Sequence, residues 1–221
     1  TLLLLGLVFF HAVHFYAARH GLTDSEAIQV LAERHNVATE APAAPHDPTA
    51  LARRNDAALD SYIPPAPERT IEPGVIEGAH ARLMQQPELL RYLTDARGLT
   101  LDTVGQYRLG HDRQRYTIPI TNAAGDYVNI RRYLPGGDPK MKSYREGYGK
   151  ARLWPLEAFH TPGRIILCAG EFDCLLARQH GFNAVTHTGG EGTWKDEWTP
   201  LFAGRDVVIC YDSDDAGRRG A

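Results

Sequence analysis

Two short acidic turns hold the residue types in this chain that could do chemistry. Asp212-Ser213-Asp214-Asp215-Ala216-Gly217 follows the apolar run 206–211, and Gly170-Glu171-Phe172-Asp173 follows the apolar run 164–169. Two aspartates at i and i+2 in a turn can aim oxygen donors at one point. That suits a hard divalent cation such as Mg2+ or Mn2+, which keeps several waters and takes its remaining ligands from substrate phosphates. A lone D-x-D turn reads more simply as an aspartate cluster capping a helix start. The second acidic turn shifts the balance, because both turns follow strands of what reads as one sheet. The expectation is that Glu171, Asp173, Asp212 and Asp214 converge at one end of a parallel sheet, with Asp212 and Asp214 holding the cation.

The elements that would position these residues are legible from residue 163 onward. Residues 164–169 and 206–211 are continuous apolar strands, 172–180 is helical, 183–186 is a short strand and Gly189-Gly190 is a turn. The stretch 194–202 reads as helical up to Pro200 or as irregular. Strands apolar on both faces, with a helix between them, argue a parallel sheet buried between helices, whose reactive groups gather at the carboxyl ends of the strands. Upstream, Leu83, Leu89, Leu90 and Leu93 are helically spaced up to Gly98, and Thr100 caps a short helix toward Tyr107. The period then changes to two: 115–120 and 127–130 read as strands of a hairpin turning through Asn122 to Asp126, with Gly125 at the turn.

Further toward the N-terminus, Thr23-Asp24-Ser25-Glu26 has the form of a capping box, followed by the apolar stripe Ala27, Ile28, Leu31, Ala32. Half of the 14 prolines fall between residues 38 and 74, a composition that reads as a linker. The organisation expected is therefore a helical piece (1–37), a Pro/Ala-rich linker (38–74), a small basic α+β subdomain (75–162) and an α/β domain (163–221).

Charge divides along the same lines. The net charge of −3 excludes a wholly basic nucleic-acid coat protein. Residues 107–153 nevertheless hold ten Lys/Arg against four Asp/Glu, and residues 163–221 hold six against nine. A basic segment feeding an acidic one is what a phosphate-binding surface beside a metal site would look like. The three cysteines, Cys168, Cys174 and Cys210, sit in apolar runs without a C-x-x-C and read as small buried hydrophobes of a reducing compartment. The histidines lack zinc-enzyme spacing, and the glycine-rich stretch 189–192 lacks the Lys-Ser/Thr of a P-loop. Leu2–Phe10 is apolar, but His11 and His14 interrupt it short of the ~20 residues that a membrane span needs.

The two turns resemble the Toprim domain of bacterial-type (DnaG-like) and phage or plasmid primases, topoisomerases and related proteins, in which a strand leads to E-G-x-x-D and a later strand to D-x-D-x-x-G. Gly170, Asp173, Asp212, Asp214 and Gly217 match, whereas the family's glutamate falls on Ala169, with Glu171 two residues on. Tyr92-Leu93, Arg97-Gly98-Leu99 and Arg108-Leu109-Gly110 look like the upstream stretch of primase cores, and Arg115–Ile120, Gly125, Arg131, Pro139-Lys140 and Leu153-Trp154 look like the basic subdomain leading into Toprim. Residues 15–37 are similar to the helix closing the family's zinc-binding domain. The resemblance implies a Toprim-like α/β fold and a cytoplasmic enzyme. It would make RNA primers from nucleoside triphosphates on single-stranded DNA with Mg2+ or Mn2+, beside a replicative helicase, with zinc only in an upstream domain. It implies Glu171, Asp173, Asp212 and Asp214 as catalytic residues, Glu171 joining Asp212 and Asp214 at the metal, and Lys140, Arg131, Arg115 and Lys142 as contacts to nucleic acid or nucleotide. Because of Ala169, two alternatives stand beside it: a degenerate Toprim module that binds nucleic acid without catalysis, and another Toprim enzyme, a nuclease or topoisomerase relative.

Overall fold

A computed structural model of the chain describes residues 68–190 and 193–212, together with Gly21, Thr23, Glu26 and Val30. The apolar stretch 2–10, most of the Pro/Ala-rich segment and Asp214 lie outside the described residues. The capping box is present: Thr23 N donates to Glu26 Oε2 (2.7 Å) and Glu26 N to Thr23 Oγ1 (3.3 Å), the reciprocal exchange that satisfies two orphan amides.

Helical spacing from Ile76 onward builds α1 (Pro73–Met84), with proline in its first turn and Ile76, Ala79 and Leu83 on the buried side. The folded region starts earlier than the composition suggests. Ile71 is buried, and Arg152 donates from both terminal nitrogens to Glu68 (2.6 and 3.1 Å). Pro87 opens α2 (Pro87–Arg91), which runs into a π-helical turn at Tyr92–Ala96, and Gly98, at φ +69°, ends it. Thr100 caps α3 (Leu101–Gln106), its side chain accepting from Thr103 N.

Four strands then form an antiparallel sheet in sequence order: β1 (Gly110–His111), β2 (Tyr116–Thr121), β3 (Tyr127–Tyr133) and β4 (Met141–Lys142). The β2–β3 hairpin closes as its residues dictate. Asn122 Oδ1 accepts from the backbone of Ala124 and Asp126, and Gly125 takes φ +87°.

The second sheet has the order β5 (Leu153–Trp154), β7 (Ala184–His187), β6 (Ile165–Cys168), β8 (Val207–Cys210). β6 runs parallel to both β7 and β8, and β5 is antiparallel to β7. α4 (Glu171–Gln179) connects β6 to β7. Alternation along β6 divides the core. Cys168 packs with Cys174, Ala177 and Ala184 on the α4 side, while Ile165, Leu167 and Ala169 face Trp198, Leu201 and Tyr211 on the other. The architecture is α/β with mixed sheets and flanking helices, and Phe172 and Leu175 of α4 share a core with β2 and β3 of the antiparallel sheet.

Two local expectations change. Pro200 does not end a helix; it lies in the first turn of α5 (Thr199–Phe202), after a 3-10 turn at Asp196–Trp198, where its missing N–H costs nothing. β8 is apolar yet not buried on both faces: Val207, Val208 and Ile209 are 36%, 40% and 45% exposed, because among the described residues β8 pairs with β6 alone. Among the described residues no helix is long and apolar enough to cross a membrane.

Candidate acidic site

Cys168 and Cys210 are register partners on the parallel strands β6 and β8, so the segments that follow them leave the sheet side by side. One begins α4, with Gly170 as its N-cap in extended conformation, and the other is Tyr211-Asp212. A Cβ on Gly170 would approach Asp173 Oδ2 to 3.3 Å, so glycine leaves room for that carboxylate to fold back over the helix start.

The charges at this end crowd one another. Burial pushes the Asp173 carboxyl up to about 6, the negative charge of Asp212 and then of Glu171 adds to the rise, and Arg97 opposes it. Asp173 thus lies within electrostatic reach of both Asp212 and Glu171. Asp214, two residues beyond Asp212, lies outside the described residues.

Glu171 has a partner from the other sheet. It is 4% exposed, and its Oε1 accepts from Arg131 Nε of β3 at 2.6 Å, so two residues to which the sequence assigns separate roles form one ion pair. Arg97, read from the sequence only as part of a family resemblance, also belongs to this wall. Its guanidinium lies 4.8 Å from the Tyr133 ring centre and 4.9 Å from that of Phe172, and its Nη2 donates to Tyr133 Oη (2.5 Å). The Arg-Gly-Leu segment before a helix cap was the available signal; nothing local says that Arg97 faces carboxylates some 75 residues on.

The remaining basic residues divide by environment. Arg115 is 7% exposed, and its Nη1 donates to the carbonyls of Pro139 (3.0 Å) and Lys140 (3.2 Å), holding the segment that carries Lys140. Lys140 and Lys142 are exposed at the β4 edge of the antiparallel sheet. Cys168 and Cys174 are buried free thiols, and burial raises the Cys210 thiol to about 12.

Among the described residues no group of three His, Cys, Asp or Glu side chains is arranged to hold a metal. Mg2+, however, needs only one or two protein carboxylates beside water and substrate phosphates. Asp173 and Asp212 supply an oxygen-only pair whose mutual repulsion a cation would relieve, so the residues present fit such an ion.

An α/β sheet with acidic residues after its parallel strand ends, flanked by Arg131 of the antiparallel sheet and Arg97 of the helical segment before it, defines the class. Comparison with known proteins narrows it. No family model matches the chain. It is 27% identical over 144 residues to the DNA primase of Escherichia coli K12, a match covering 61% of this chain and 25% of that protein. It is 25% identical over 185 residues to the DNA primase of Rickettsia felis, covering 62% and 31%. The chain thus spans about a quarter to a third of the curated relatives it matches. Among solved structures, a DnaG primase catalytic domain bound to single-stranded DNA aligns with a TM-score of 0.53 at 22% identity, covering 76% of this chain and 65% of that one. The Aquifex aeolicus primase, with zinc-binding and RNA polymerase domains, aligns at 0.53 and 18% identity, covering 95% and 59%. The fold is that of a primase catalytic core, and the sequence is similar to bacterial DNA primases.

Proposed function

We propose that this chain carries the catalytic site of a primase, an enzyme that joins nucleoside triphosphates into RNA primers on a single-stranded DNA template with Mg2+ or Mn2+. The observation that carries the reading is that Asp173 and Asp212 are electrostatic neighbours after adjacent parallel strand ends, with Arg97 acting on Asp173 and Arg131 on Glu171, within a primase-core fold.

In this reading Asp212 and Asp214, with Asp173 beside them, hold the cation, which when bound neutralises charge on the transferring phosphoryl group. Burial and the charge of Asp212 raise the Asp173 carboxyl, and a cation held there would favour its ionised form. Arg97 and Arg131 provide positive charge where phosphates enter, and guanidinium forks suit phosphate oxygens. Lys140 and Lys142 lie on the exposed edge of the basic sheet and hold the template backbone, with Arg115 fixing the segment that presents Lys140.

The test is primer synthesis on a single-stranded template with the four ribonucleoside triphosphates and Mn2+. The double variant Asp212→Asn/Asp214→Asn should lose activity by more than the about 10–100-fold that removing a supporting group outside the metal shell costs. Undiminished synthesis by that variant would remove the acidic turn from the reaction.

A second reading has its own observations: Ala169 lacks a carboxylate, and Glu171 is engaged by Arg131. In a module that binds nucleic acid without chemistry, the wild-type protein holds single-stranded DNA and makes no product, so Glu171→Gln has no synthesis to lower. If Glu171 supplies the carboxylate that Ala169 lacks, Glu171→Gln lowers synthesis about 10²–10⁴-fold, the usual contribution of a general acid or base.

A further inference from the structure

Asp212 follows a strand that pairs with β6 and is exposed over most of its length. Three of the four β8 residues are exposed, at 36%, 40% and 45%, and the residue of this segment that enters a core is Tyr211, 9% exposed. The register places Tyr211 in a row of three. Cys168 partners both Thr186 and Cys210, so the next row across β7, β6 and β8 is His187, Ala169, Tyr211, all on the face away from α4. His187 and Tyr211 lean toward each other across the central strand, and His187 Nε2 meets Tyr211 Oη at 2.8 Å, with ring centres 5.9 Å apart. The side chain beneath this bridge is the methyl group of Ala169.

The hydrogen atoms in this chain of contacts can be assigned. Thr193 has one hydroxyl proton, which it donates to the Gly190 carbonyl at 2.8 Å. Its Oγ1 also faces His187 Nδ1 at 3.4 Å, so it accepts there and Nδ1 carries the imidazole proton. Nε2 is then the acceptor for the Tyr211 hydroxyl. The loop that brings Thr193 into place needs glycine at 189, where a Cβ would lie 2.1 Å from Thr193 Oγ1, and at 190, which has φ +84°. His187 is 1% exposed and stands 5.7 Å from the ring of the fully buried Trp198. One end of the bridge is therefore fixed in the core.

We infer that the His187–Tyr211 bridge is the positioning device of the acidic site, fixing the carboxyl end of the exposed strand β8, and so the carboxylate of Asp212, across the central strand. The inference rests on the reading of Asp212 as a cation ligand. It also assigns a purpose to the small residue at 169, because a longer side chain there would rise into the path of the bridge. Ala169, His187, Tyr211, Gly189, Gly190 and Thr193 act as one unit, and neither His187 nor Tyr211 needs to touch substrate.

The experiment measures Mn2+ affinity of the full chain by electron paramagnetic resonance, with thermal unfolding of each variant as a control. Tyr211→Phe keeps the ring and removes one hydroxyl; it should weaken Mn2+ binding about 10-fold, the lower range for losing an outer-shell support. His187→Leu should do the same, and His187→Gln, whose amide oxygen can again accept from Tyr211, should recover most of the loss. Ala169→Leu, which alters neither partner, should weaken binding by separating them. If Asp212→Asn abolishes Mn2+ binding while Tyr211→Phe stays within about twofold of wild type, the bridge does not position the site. Equal losses in His187→Leu and His187→Gln would reject the hydrogen bond as the cause. Unchanged Mn2+ binding in Asp212→Asn would instead remove the cation reading, and this inference with it.

Discussion

Asp112 and Asp173 are the same residue type in the two halves of the molecule, and their environments push them in opposite directions. Asp112, in the loop between β1 and β2 of the antiparallel sheet, is partly buried, which by itself would raise its pKa. An ion pair with Arg132 and backbone donors at Arg115 (2.8 Å) and Gln114 (3.0 Å) outweigh burial and hold it below the usual carboxylate range. Asp173, at the end of the parallel sheet, is raised to about 6 by burial and by Asp212, which outweigh Arg97 and a backbone hydrogen bond. In one half, charge is neutralised locally and serves the fold. In the other, burial and neighbouring negative charge outweigh the nearby arginine, an arrangement that costs stability and is common at functional sites. The ion pair Arg131–Glu171 joins the two halves.

That joint gives the largest expected effect. With side chains 16% and 5% exposed, the pair is buried enough that removing one partner strands a charge. Glu171→Ala should cost about 3 kcal/mol in urea unfolding at pH 7, whereas Glu171→Leu/Arg131→Met should cost clearly less. Equal costs would mean that pairing is not what Glu171 contributes to stability.

The two aspartates should then separate by sign. A carboxyl whose folded pKa is raised destabilises the fold once ionised. This penalty is absent below about 4, grows as pH rises toward 6 and is full above it. Asp173→Asn should accordingly raise the melting temperature of the metal-free chain at pH 7 and have no such effect at pH 4. Asp112, lowered in the fold, contributes stability above its unfolded pKa of about 4, and that contribution is lost as pH falls through its folded value. Asp112→Asn should therefore lower stability at pH 7, by about 1–2 kcal/mol for charge-assisted hydrogen bonds, and lose that effect in acid. Shifts of the same sign for both variants would erase the contrast between the halves.

The smallest effect tests the basic edge. Lys140→Ala should weaken single-stranded DNA binding alike for all sequences and reduce the slope of log affinity against log salt by about 0.7, one phosphate contact on a single strand. Binding by the wild type that ignores salt would deny the antiparallel sheet a nucleic-acid role.

Local chemistry was legible in the residues themselves. The capping box at Thr23, the Thr100 cap, the Asn122–Gly125 turn and the β6 strand leading into a helix all follow from short-range rules of hydrogen bonding, φ preference and apolar run length, which need no distant partner. Two acidic turns after two strands were likewise readable, and parallel α/β logic placed their outlets at the same end. The tertiary structure alone decided which charges are engaged. Arg131 pairs with Glu171 across 40 residues, and Arg115 turns to the carbonyls of a neighbouring segment. Arg97 stacks on Tyr133 and Phe172, and His187 reaches Tyr211 across Ala169. Each of these depends on strand register and on the packing of one sheet against another. A one-residue change of register turns every side chain to the other face, so residue type and spacing along the chain do not encode such contacts separately.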